Sequence, residues 1–137
     1  MSDQTRELVR RYFEELLTTP TDMDVADQIF TDDVTFRNPI SAQAIAGIHE
    51  YKAFVQRWVV GFPDRVFTID ELLAEDDRAA AQFTITATHG GEFLDVDATG
   101  NRIEVHGMNM FHTRDGRIQR VQAFFDDSAI RGPLGLE

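Results

Sequence analysis

The stretch RIEVHGMNMFHTRDGRIQRVQAFFD, from Arg102 to Asp126, decides the fold. Asp115-Gly116 splits it into two runs, and such a pair between apolar stretches is a strong hairpin signal because both turn positions need positive φ. Side chains alternate between faces along a strand. Gly107, Asn109 and Phe111 therefore share one face of the first run, as do Val121, Ala123 and Phe125 of the second. The second run ends in two aromatics and two carboxylates. Asp126 and Asp127 either do chemistry at the mouth of a pocket or end the strand and cap the tail. Parity separates Asp126 from Ala123, which favours capping or an ion pair with an arginine.

Working upstream, RVFTIDELLAE and RAAAQFTITATH have the same period of two and form a second hairpin around Asp76-Asp77. Before Gly61-Phe62-Pro63-Asp64 the period is helical. Leu8, Val9, Tyr12, Phe13, Leu16 and Leu17 make one stripe of a first helix, with Ser2 or Asp3 at its start and Pro20 after it. A short second helix is expected from about Asp22 to Phe30. DVTFRNP reads as a strand ended by Pro39. A third helix is expected from about Ile45 to Val60, with Ile48, Tyr51, Val55, Trp58 and Val59 inside. Helices first and strands afterwards predict an α+β fold, a curved antiparallel sheet with three N-terminal helices on one face, forming a cone around a pocket.

At 137 residues, 42% of them hydrophobic and eleven of them phenylalanine, the chain is expected to form one domain, residues 1–137. No apolar run approaches the ~18 residues of a membrane span. MSDQTRELVRR lacks an apolar signal region, so a cytoplasmic location is expected. Without cysteine, disulfides, thiolate catalysis and cysteine-based metal sites are excluded. The net charge of −11 argues against nucleic acid and anionic membranes as partners. Lys52 is the sole lysine, so a Schiff-base mechanism would rest on it alone.

Two motifs are set aside. GGEF, Gly90 to Phe93, matches a nucleotide-cyclase signature but reads here as a bend between strands. DVDATGNRIEVH imitates a calcium loop, yet His106 stands where the bidentate Glu is required and a strand comes next rather than a helix. The histidines His49, His89, His106 and His112 lack the i, i+4 pairing of a helical zinc site, and no metal is expected.

RNP at Arg37 to Pro39, GIHEYKAFVQRWVVGFPD at Gly47 to Asp64, THGGEF at Thr88 to Phe93 and RDGRI…FFD from Arg114 to Asp126 together resemble the NTF2-like superfamily. Within it, they are most similar to the SnoaL-like polyketide cyclase and limonene epoxide hydrolase group. The resemblance implies a cofactor-independent enzyme of cyclase, isomerase or lyase type, moving a proton on a small hydrophobic carbonyl compound. It also implies a homodimer formed through the outer sheet face, where Val66, Thr68 and Ile85 would supply apolar contact. The alternative is a non-catalytic ligand-binding or dimerisation domain.

The family's residues transfer unevenly. The cyclase Asp, seven residues after the turn glycine, corresponds to Ala123, and the accompanying His to Asn109. The substrate-contacting Asn after the first strand is kept as Asn38. The Arg, Asp and Asp of the epoxide hydrolases correspond to Gly107, Asn109 and Ala123, so hydrolysis by that route lacks its carboxylate. The expected pocket wall is Phe36, Asn38, Trp58, Phe62, Phe111, Ala123 and Phe125. Asn109 would polarise the carbonyl. Proton transfer would fall to His89, whose loop the resemblance sets beside the pocket, or to Asp126.

Overall fold

The computed structural model describes residues 2–136. Helix α1, Ser2–Arg11, continues into a π-helical segment, Tyr12–Leu17. Helix α2 spans Asp24–Ile29, strand β1 Phe30–Arg37, strand β2 Ile45–Ala46 and helix α3 Ile48–Gly61. Then come β3 (Val66–Glu75), β4 (Arg78–Thr88), β5 (Arg102–Arg114) and β6 (Arg117–Phe125), and helix α4 closes the chain at Ser128–Leu134. The result is α+β: six strands in the order β2-β1-β6-β5-β4-β3, an unclosed curved sheet with helices against its inner face. No described helix is long and apolar enough to cross a membrane.

Local chemistry accounts for most of these elements. The expected stripe of α1 is buried from Leu8 to Leu17, and Thr5 Oγ1 donates to the carbonyl of Asp76, tying the helix to the β3–β4 turn. Asp115 and Gly116 both have positive φ, as the β5–β6 hairpin requires. That turn fixes the register, so Asn109 lies opposite Ala123 and Phe111 opposite Val121. The inner face of the sheet then stacks its rings on the helices. Phe13 meets Phe83 at 5.5 Å and Phe111 at 5.9 Å between centroids. Tyr51 of α3 stacks between Phe30 and Phe36 at 4.6 and 4.8 Å. Each such fully buried apolar side chain contributes roughly 1.5–3 kcal/mol.

Four features differ from the sequence-based reading. The sheet is antiparallel except at β1–β6, which run parallel because helix α3 and the β3–β5 meander separate them in sequence. Ile45–Ala46, expected as the start of α3, instead pairs with Thr35 and Phe36 as β2. The tail after Asp127 is helical despite Pro133. Ile85, expected on the outer face, is buried on the inner one, paired with Phe67.

Candidate functional site

A cavity lies between the sheet's inner face, the first helical segment and α3. Tyr12 and Leu17 line it from the first segment, Val55 and Trp58 from α3, and Phe36, Ala123 and Phe125 from the sheet. Five lining residues bring polar side-chain atoms: Tyr12, Asn38, Trp58, Arg65 and Asn109. The space among these side chains is about 40 Å³, room for about three or four waters at roughly 10–15 Å³ each. A wider cleft of about 420 Å³ lies outside, lined by Ile40, Arg57, Val60, Phe93 and Leu94 among others. Phe54 belongs to both walls and stands between the two spaces.

The polar groups are unequally satisfied. Tyr12 and Tyr51 share a short hydroxyl–hydroxyl hydrogen bond in the interior. Burial pushes both phenols above their ordinary pKa, so both stay protonated at neutral pH. At Tyr12 the neighbouring Tyr51 hydroxyl and Asn109 amide oppose that push. Asn109 is 3% exposed and its Oδ1 has no partner among the described residues. Asn38 is already engaged: its Oδ1 accepts from the amides of Ile40 and Ser41 at 3.0 and 3.1 Å, and its Nδ2 donates to Ser41 Oγ at 3.0 Å. Such an Asx turn shapes the loop after β1 more than it offers a free handle.

Arg65 is the residue that sequence reasoning missed. It is 1% exposed, donates one bond from Nη1 to the carbonyl of Phe62 at 3.2 Å, and leaves Nε and Nη2 without a partner among the described residues. Desolvation lowers its pKa, yet a guanidinium keeps its proton in proteins. A buried charge without a counter-ion costs several kcal/mol. The signal lay in the alternation: Arg65 has the inward parity of Phe67 and Ile69, while Val66 and Thr68 point out.

Of the expected site residues, Phe36, Asn38, Trp58, Asn109, Ala123 and Phe125 meet at the cavity. The others stand apart. Phe62 packs on Trp58, Phe93 and His89, and Phe111 sits under Tyr12 and Phe13 in the core. His89 is fully buried outside the cavity wall. Its Nδ1 accepts from the amide of Thr99 at 3.2 Å, which places the proton on Nε2 and leaves no free lone pair for a base. Its work is to hold the 89–101 loop, together with the amides of Gly90 and Gly91 that donate to the carbonyl of Gly61. A Cβ on Gly91 would lie 2.0 Å from the carbonyl oxygen of Val60, so the glycine pair permits this close approach. Asp126 is exposed and accepts from the amide of Ser128 at 3.0 Å, beginning α4 and lowering its own pKa. His106 lies on the outer face between Glu104 and Thr84. Among the described residues, no three carboxylates or imidazoles gather as a metal site, and no carboxylate or imidazole lines the cavity.

A small cone whose inner face carries Asn109 and Ala123 side by side, with Asn38 at the end of β1, is what the sequence resemblance implies, and the family comparison agrees. The description of SnoaL-like polyketide cyclases matches residues 7–132. The chain belongs to this family. Among solved structures, a candidate SnoaL-like polyketide cyclase from Jannaschia sp. CCS1 is 25% identical with a TM-score of 0.90, covering 99% of this chain and 94% of the other. TsrD from Streptomyces laurentii is 23% identical with a TM-score of 0.83, covering 98% and 97%. IdmH from Streptomyces antibioticus, a candidate polyketide cyclase, is 21% identical with a TM-score of 0.79, covering 97% and 99%. These last two show the SnoaL-like fold alone. No curated protein matches the sequence.

Proposed function

We propose that this SnoaL-like protein is a cofactor-independent enzyme, of cyclase, isomerase or lyase type, that acts on a small hydrophobic carbonyl compound by polarising the carbonyl. The observation that carries the reading is that Tyr12 and Asn109 both line a cavity walled mostly by rings and aliphatic groups. Donors preorganised in an apolar, low-dielectric site stabilise a developing oxyanion better than bulk water does. A bound enolisable ketone then loses its α-proton to solvent, and the electron pair settles on the oxygen facing those donors. Phe54 rotates to admit the ligand from the outer cleft, since the cavity is smaller than the roughly 300–1,000 Å³ of ligand sites.

One observation favours a second reading, a ligand-binding domain without catalysis: Ala123 stands at the family's Asp position and no titratable base lines the wall. Deuterium exchange at the α-carbon of 2-tetralone in D2O, monitored by proton NMR, separates the two. Exchange above the buffer rate supports the enzyme; saturable binding without exchange supports the binding domain. We further propose that residues 1–137 act as one cytoplasmic domain that pairs with a second copy through the outer sheet face. Support comes from exposed Val66, Leu73, Met108 and Phe124, of which Met108 and Phe124 are register partners.

A further inference from the structure

We propose that the cavity selects ligands bearing an anionic oxygen group, a carboxylate or a delocalised enolate, and that Arg65 recognises it. The proposal rests on the reading of this cavity as a ligand site. Arg65 takes the inward position just before Phe67 on a face otherwise lined by rings and aliphatic groups, such as Phe83 and Ile85. Burying a guanidinium there works against folding unless something pairs with it. Its single side-chain bond uses Nη1 and goes to the carbonyl of Phe62. The nitrogens left without partners are Nε and Nη2, which form the side-on edge of the guanidinium. That edge carries two parallel N–H groups at the spacing of two geminal or conjugated oxygens. Among the described residues, the wall around it supplies no carboxylate. An apolar cavity with one unpaired fork is therefore matched to an apolar body carrying a planar anionic head.

The test compares 2-naphthoate with its neutral isostere 2-naphthamide, and benzoylacetone at a pH above and below its own ionisation, by calorimetric titration. The proposal expects 2-naphthoate to bind at least tenfold tighter than the amide, or benzoylacetone to tighten as it ionises; the first result identifies carboxylates and the second enolates. Arg65→Met should erase whichever preference is seen, and Arg65→Lys should keep part of it, since a point charge attracts the anion without offering the fork. The unliganded Arg65→Met protein should melt no lower than the wild type, because an unpaired buried charge has been removed. Equal binding of amide and carboxylate, with benzoylacetone indifferent to pH, would overturn the role of Arg65 and leave the cavity a ligand site. A preference that survives Arg65→Met, or a melting temperature that falls sharply in that variant, would overturn it too. Binding of none of the probes would defeat the ligand-site reading itself, and the proposal with it.

Discussion

The two faces of the sheet depart from ordinary burial in opposite directions. The inner face buries a guanidinium, an amide oxygen without a partner and a pair of phenols. The outer face exposes Val66, Leu73, Met108 and Phe124 to solvent. Neighbours in the chain make the contrast: in β5 Asn109 is buried and Met108 is open, and just before β3 Arg65 is buried beside exposed Val66. Groups so ill-matched to their surroundings mark places where a folded chain awaits a partner. Inside, the partner we propose is a small ligand held by these polar groups; outside, it is the sheet of a second copy.

The contrast breaks most visibly when matched residues on the two faces are truncated. Phe111→Ala, on the inner face, should cost about 3–5 kcal/mol in urea unfolding, whereas Phe124→Ala should change the monomer's stability by less than about 0.5 kcal/mol. Similar losses at both sites would mean that the faces are not distinct. The outer face can be attacked directly: if the proposed dimer forms there, Met108→Asp with Phe124→Asp should halve the mass measured by light scattering, and a wild type already monomeric, or a mass unchanged in the variant, would contradict the proposed interface. On the inner face, Ala123→Trp should lower stability by about 1–3 kcal/mol through overpacking and abolish 2-tetralone binding. Normal binding in that variant would contradict the Asn109–Ala123 register.

The smallest effect concerns His112, half-buried at the end of β5. Its pKa is lowered first by desolvation and then by Arg120 and Arg78, with Asp77 opposing. The folded value thus lies below the unfolded one of about 6.5, and the unfolded chain binds the extra proton between the two. Stability is full above the unfolded value and falls as pH drops through it toward the folded one. His112→Gln should flatten the melting temperature between pH 7 and 5, and an unaltered slope would assign it to other groups.

The hairpins, the α1 stripe and the shared face of Asn109 and Ala123 were legible because turn chemistry and period are local. The parallel β1–β6 pairing was not, since it joins segments distant in sequence with no local mark. Nor was β2, whose two residues are too few to display a period. His89 was drawn toward the pocket by its neighbours in the resemblance, and only the hydrogen bond to Thr99 shows its lone pair to be spent. Arg65 and Tyr12 were hidden differently. Each sits at a position where parity or helical period demands an apolar residue; Tyr12 was counted in the α1 stripe and Arg65 was given no role. Polar residues at apolar positions were the signal, and it was present in the sequence.

Trp58 is the chain's only tryptophan and lines the cavity, so its emission reports occupancy without any label. Titrating 2-tetralone while monitoring that emission tests most directly whether the cavity takes a carbonyl ligand. A ligand site of this kind should give a saturable change, weakened roughly fivefold by Asn109→Leu, since a hydrogen bond to the carbonyl is worth about 1 kcal/mol. A signal that stays linear to the solubility limit, or one that Asn109→Leu leaves untouched, would contradict it.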